Sequence, residues 1–277
     1  MSKPLILVTN DDGIQSPGLW ALAKAVSGLG DVVVIAPDRQ WSGAARARIH
    51  NVSGKVTAVE APGYDVVGAF SVDSSPASTV SKAFAELVAE PIALVVSGIN
   101  SGHNLGLDVT VSGTIGAAME GAAYGVPAIA ISQGIDPRHF KTGGDGGADY
   151  TLAGAYARRF AEHLLAHGLP HDVDVLNINV PMNAAPDAAW RLTRQARLHY
   201  YLDVTPRRGE GIWNDPVRIA DGDRTGPDSD VQAIADGLVA VTPLSMDFTS
   251  RVGLNGDECG RNGGQALWQE VPGREPR

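Results

Sequence analysis

Two adjacent aspartates, Asp11 and Asp12, follow the apolar run LILVT in the order Asn10, Asp11, Asp12, Gly13. Carboxylates this close repel each other unless a proton or a cation lies between them. Two further loops carry oxygen donors just after an apolar run. Residues 37–43 bring Asp38, Ser42 and Gly43, and residues 98–104 bring Asn100, Ser101 and Asn104. Carboxylate, hydroxyl and carboxamide oxygens, with no thiol and no strongly placed histidine, make a hard donor set. Such a set suits Mg²⁺, Mn²⁺ or Ca²⁺ rather than zinc. Ser112-Gly113-Thr114 opens an Ala-rich stretch, and the free N–H groups and dipole of a helix start favour an anion. The chemistry these residues suggest is metal-assisted reaction of a phosphate-bearing substrate.

Each feature also has an ordinary folding explanation. Asp-Asp-Gly after a strand is commonly a turn with a helix cap, Ser-Gly-Thr is commonly a cap, and Asn100 could serve loop backbone. Placement decides between the readings. In an open parallel sheet, ligands bind beyond the carboxyl ends of the strands, and all three loops fall there.

The elements that must position them recur in one rhythm over the first two-thirds of the chain. Apolar runs at 5–9, 32–36, 92–97, 127–132 and 174–180 alternate with Ala-rich helical stretches. Helices are expected from Pro17 to about Gly28, from Ser75 to Glu90, from Ser112 onward and over 149–167. Continuous apolar strands alternating with helices predict a doubly wound α/β fold, a mostly parallel, Rossmann-like sheet with helices on both faces. The expected division is an α/β catalytic core at 1–180 and a C-terminal extension at 181–277. The extension is richer in Arg, Pro, Asp and Gly, and reads as an arm or hairpin that packs on the core or on a second subunit.

The 277 residues carry 44% apolar and 19% charged side chains and a net charge of −9. That charge argues against capture of duplex nucleic acid or an anionic membrane surface. It also means that an anionic substrate needs local positive compensation. No run approaches a membrane span, the start lacks signal-peptide character, and Cys259 is the lone cysteine. A cytoplasmic protein is expected.

The run VTNDDGIQSPGLWALAKAV resembles the opening of the SurE survival proteins, which are metal-dependent 5′-nucleotidases. The likeness continues through APDRQWSGA, VVSGINSGHNLGLDVTVSGTIGAAMEG, YGVPAIAIS, LNINVP and SDVQAIADGLVAVTPLSMD, and so covers roughly residues 5–250. It implies metal ligands at Asp11, Asp12, Ser42 and Asn100, holding one divalent cation per subunit. It implies phosphate contacts at Asn104, Ser112, Gly113 and Thr114, with Asn10 and Gly43 nearby. Asp11 would act on the attacking water, and Asn104 would steady the phosphoryl group. The resemblance further implies a nucleotide substrate and a homodimer or tetramer with exchanged C-terminal arms. Where the family usually carries Gly-Thr-Pro-x-Asp-Cys-Val, this chain reads Ser74-Ser75-Pro76-Ala77-Ser78-Thr79-Val80, a change that bears on substrate choice.

Two rival functions follow from the same residues. Ala130-Ile131-Ser132-Gln133-Gly134 loosely resembles a hydrolase nucleophile elbow, although Pro137 and nearby glycines oppose the helix an elbow needs. A nucleotide- or phosphate-binding regulatory module without turnover is the other, supported by the altered 74–80 segment. His163 and His167 stand four apart on an expected helix but lack the glutamate of a zinc motif. His199 matches a family histidine. Trp20 and Met119 read as core.

Overall fold

Apolar runs with no polar alternation bury both faces of a strand, and here they form the middle of one nine-stranded sheet. β1 (Leu5–Thr9), β2 (Asp31–Pro37), β5 (Ile92–Ser101), β6 (Ala128–Gln133) and β7 (Val175–Val180) lie in the order β2-β1-β5-β6-β7, all parallel. The doubly wound α/β expectation is met. This computed structural model describes residues 3–136, 139, 145–202, 218–219 and 226–249. Cys259 and most of the expected arm lie outside the described residues.

Two strands not anticipated from the sequence extend one edge. β4 (Gly68–Val72) runs parallel to β2, and β3 (Val56–Ala58) antiparallel to β4. At the other edge β11 (Val239–Leu244) pairs antiparallel with β7, and β8 (Trp190–Leu192) runs parallel to β11. Residues beyond Val180 thus add to the same sheet. The segment LVAVTPL, within the expected C-terminal extension, supplies a buried strand there. A separate antiparallel pair joins β9 (Tyr201–Leu202) to β10 (Arg218–Ile219). The chain divides into compact units at 1–244 and 245–277, and every element named here belongs to the first. Among the described residues no helix is long and apolar enough to cross a membrane.

Helices cover both faces. α1 (Pro17–Val26) and α4 (Thr151–His167) pack with Ile6 and Val8 of β1 in one core cluster. α2 (Pro76–Lys82) and α3 (Gly113–Ala123) pack with Leu7 of the same strand in the other. Alternate side chains of β1 therefore feed opposite layers, as the period of a strand requires. Trp20 is core as expected, with its ring N–H donated to the Ile14 carbonyl at 2.8 Å. The helix expected over 75–90 is shorter. α2 ends at Lys82, a single wide turn follows at Ala83–Leu87, and Val88 is already extended.

The chain leaves β1 toward β2, β4 and β3, then crosses back to lay β5 on the other side of β1. Beyond the carboxyl ends of β1 and β5, that reversal opens the crevice where such folds bind ligands. β5 runs four residues further than expected, so Asn100 and Ser101 sit on the strand itself. Its register with β6 slips between Ser97 and Asn100, an irregularity that re-aims the residues after it. Gly98 makes the slip possible. Its φ is +138°, and an added Cβ would lie 2.2 Å from the Ile131 carbonyl oxygen. We expect Gly98→Ala to lower stability in urea unfolding by about 2 kcal/mol or more, since both the backbone conformation and the contact oppose a side chain. A loss below about 0.5 kcal/mol, within the range of neutral surface changes, would contradict this account of the β5 end.

Candidate functional site

The loops after β1, β2 and β5 meet α3 around a cleft of about 1040 Å³. Asp11, Asp12, Ser42, Gly43, Asn100, Asn104 and Ser112, all singled out from the sequence, line it. Asn10, Gly113 and Thr114 do not. Thr114 and Gly113 stand behind it against Asp11, and Asn10 lies within the turn.

Asn10 was expected near the phosphate, but its amide is spent inside the turn. Its Oδ1 accepts the Gly13 N–H and its Nδ2 donates to the Gly13 carbonyl, both at 3.1 Å. Thr114 donates its hydroxyl to Asp11 Oδ1 at 2.5 Å, and its backbone N–H bonds the same carboxylate. Gly113 lets α3 come that close, because a Cβ there would lie 2.7 Å from Asp11 Oδ2. The helix start expected to bind phosphate is therefore already charge-matched by a carboxylate of the chain. Ser112 caps α3, its Oγ accepting the Ile115 N–H at 3.2 Å, which leaves its hydroxyl proton available to the cleft.

Asp11 is 4% exposed. Burial, and second the Asp12 carboxylate, push its pKa up to about 7 against the lowering effect of the Thr114 bonds. Burial likewise raises Asp12, opposed by the N–H of Ser101 at 3.0 Å and the Gln40 amide at 3.3 Å. Asp145, a third carboxylate on the cleft wall, raises it further. No lysine or arginine is among the described residues that line the cleft. A buried and a half-buried carboxylate side by side, with no lysine or arginine beside them, fit a bound cation, which would keep both ionised. Among the described residues no cluster of three or more His, Cys, Asp or Glu side chains is arranged for a metal. The candidate set thus depends on the oxygens of Ser42 and Asn100. Asn100 Nδ2 is tied to the Gly102 carbonyl at 2.8 Å, which fixes its carboxamide.

Asn104 anchors a buried polar network that the sequence reading did not find. Its Nδ2 donates to Ser132 Oγ at 2.9 Å, its N–H to Asn179 Oδ1 at 2.8 Å, and its carbonyl accepts from Asn177 and Asn179. The signal was present, since two asparagines interrupt the otherwise apolar β7 at the period of a strand. Ser132 is fully buried in this network, and no helix follows β6 directly, so the nucleophile-elbow reading falls. His163 and His167 sit together on α4 with ring centroids 4.7 Å apart and planes tilted by 46°, away from the cleft lining.

The segment 74–80 does not line the cleft either. Ser75 caps α2 and bonds the Ala47 carbonyl, Ser78 Oγ accepts the Ile49 N–H at 3.0 Å, and Ser81 bonds Glu120. Glu120, 1% exposed on α3, also binds Arg46 at 2.8 Å. These contacts brace residues 46–49, the continuation of the loop that carries Ser42 and Gly43. The divergent stretch braces this loop and is not part of the cleft lining, so it lends the binding-module reading no support.

His103, Asp108 and Tyr201 line the cleft without having been singled out from the sequence. His103, 7% exposed, sits between Tyr200 Oη at 3.1 Å and the Val180 carbonyl at 2.9 Å. The carbonyl requires a proton on Nε2, so Nδ1 accepts from Tyr200. Burial lowers its pKa to about 4. The His103 N–H donates to Tyr201 Oη at 2.8 Å. Asp108, on the turn Leu107–Thr110, accepts the N–H groups of Tyr200 and Tyr201 at 3.0 and 2.8 Å and pairs with His199 Nδ1 at 3.1 Å.

Residues 6–201 match the family model described as survival protein SurE. The chain is 40% identical over 253 residues to the 5′-nucleotidase SurE of Thermococcus kodakarensis, a match covering 89% of this chain and 94% of that protein. It is 38% identical over 259 residues to the 5′-nucleotidase SurE of Geobacter sulfurreducens, covering 90% and 91% respectively. The crystal structure of the SurE protein from Aquifex aeolicus aligns with a TM-score of 0.70 at 32% identity, over 89% of this chain and 95% of that one.

Two outcomes follow from the geometry. Gly113→Ala should leave the protein folded by circular dichroism yet cut activity by about 10²-fold, because the new methyl displaces Asp11; activity within a few-fold of wild type would contradict the placement. His103 should titrate near pH 4 by NMR in the folded protein. Its unfolded value is roughly 6.5, so its contribution to stability is present above that value and is lost as pH falls toward 4. A folded midpoint near 6.5 would contradict a buried, neutral His103.

Proposed function

The chain belongs to the SurE survival-protein family, and from that premise we propose that it hydrolyses nucleoside 5′-monophosphates using one divalent cation per subunit, Mg²⁺, Mn²⁺ or Ca²⁺. The observation that carries this reading is the adjacent pair of buried Asp11 and half-buried Asp12 at the carboxyl end of β1, in a cleft whose described lining includes no lysine or arginine. The 5′-nucleotidase names of its relatives supply the substrate class.

Asp11, Asp12, Ser42 and Asn100 would hold the cation, which when bound supplies positive charge to the phosphate and makes a water more acidic. The remaining steps belong to the chain. Asn104, with one Nδ2 hydrogen committed to Ser132, keeps a second for a phosphoryl oxygen. Ser112 offers its hydroxyl from the cap of α3, and Gly43, with open space where a Cβ would be, lets its backbone approach the phosphate. Asp11 accepts the proton of the attacking water. The Thr114 hydroxyl on one of its oxygens fixes which lone pairs face the cleft. Held donors of this kind act where charge redistributes in phosphoryl transfer.

A homodimer or tetramer with exchanged C-terminal arms belongs to the same reading, as the family resemblance implies. Phosphate release from p-nitrophenyl phosphate and from nucleoside 5′-monophosphates should vanish on chelation and return with Mn²⁺ or Mg²⁺. Asp12→Asn should lower it about 10²-fold or more. Release that ignores chelation, or an Asp12→Asn protein within a few-fold of wild type, would overturn the metal-dependent reading.

A further inference from the structure

His199 and Asp108 line the same cleft as Asp11 and Asp12, although 91 residues separate them in sequence. Asp108 is mostly buried, its side chain 13% exposed, and all its acceptor capacity seen here points at one short segment. Oδ2 takes the backbone N–H groups of Tyr200 and Tyr201, and Oδ1 faces His199 Nδ1 at 3.1 Å. The carboxylate therefore fixes both the main chain beside the histidine and the ring itself. The ring is 66% exposed, and its Nε2 has no hydrogen-bond partner among the described residues. His103 on the same wall is different, with both ring nitrogens engaged. A carboxylate that orients one imidazole nitrogen, leaving the other free in a cleft, is the arrangement of a proton-transfer histidine.

The hydrolysis proposed above assigns a group to the attacking water but none to the departing oxygen. A nucleoside 5′-phosphate must expel the oxygen of an ordinary alcohol, a poor leaving group unless protonated. We propose that His199 is the catalytic acid of this site, donating its Nε2 proton to the leaving ester oxygen, with Asp108 as its positioning residue. The assignment rests on the phosphatase reading of the cleft. In the step, the water oxygen bonds to phosphorus and its proton passes to Asp11. The bond between phosphorus and the ester oxygen breaks, its electron pair stays on that oxygen, and the oxygen takes the proton from Nε2. The products are the free nucleoside and inorganic phosphate. Exposure of the ring lets it regain a proton from solvent, while Asp11 returns its proton to solvent.

The rival explanation is purely structural, a tether by which Asp108 and His199 hold the Tyr200-Tyr201 segment. Leaving-group dependence separates the two. p-Nitrophenyl phosphate expels a stable phenolate that needs no proton, whereas a nucleoside 5′-monophosphate needs one. With Mn²⁺ at saturation, His199→Asn should lower kcat/KM for the nucleotide about 10²-fold and leave that for p-nitrophenyl phosphate within about threefold. Asp108→Asn should show the same selectivity with a smaller loss. Equal losses on both substrates would overturn the assignment in favour of the tether, and no loss on either would overturn it outright. If wild-type protein releases phosphate from neither substrate, the phosphatase reading itself fails and takes this assignment with it.

Discussion

The N-terminus of α3 holds the carboxylate of Asp11, and most of what surrounds the cleft serves that contact. A buried carboxylate beside a second one is costly to keep charged, and burial raises both here. The chain offsets part of that cost with the hydroxyl and N–H of Thr114 and with the helix dipole behind them. It does not offset all of it. What is left is a local demand for positive charge in a protein whose net charge is −9, which is the ground for the cation proposed above.

The fold makes that demand compatible with stability. β1 is central, so Asp11 and Asp12 extend from a strand buried on both faces, and two core clusters fix its end. The glycine at 113 permits the helix to approach, and the glycine at 98 permits β5 to slip register against β6. Behind the β2 loop, Glu120, Arg46 and three serines of the 75–81 stretch do the work of bracing, so sequence can vary there without touching the cleft. Asn104 is braced in the same way by β7, through Asn177 and Asn179.

The parts of this site visible in the sequence were those close to an apolar run. Asp11, Asp12, Ser42 and Asn100 each follow an apolar run whose burial the composition announces, and the parallel-sheet rule collects strand ends on one edge. β3 and β4 were missed because VTA and GAFSV are short and mixed, with little period to detect. Residue type indicates hydrogen-bonding capacity but not which partner consumes it, and the side chains of Asn10 and Thr114 spend theirs on Gly13 and Asp11. The pairing of Asp108 with His199 had no local signal, since it joins chain segments 91 residues apart. The serines at 74–80 look like a loss of function in sequence, and only their packing against residues 46–49 shows them to be support.

A cation held by residues at the ends of β1 and β5 can be located directly. A crystal equilibrated with Mn²⁺ and measured at a wavelength with manganese anomalous signal would show where the ion sits. The account predicts one strong peak per subunit within coordinating distance of Asp11, Asp12 and Asn100, with Ser42 alongside. No peak in the cleft, or a peak coordinated elsewhere while the cleft stays empty, would contradict it.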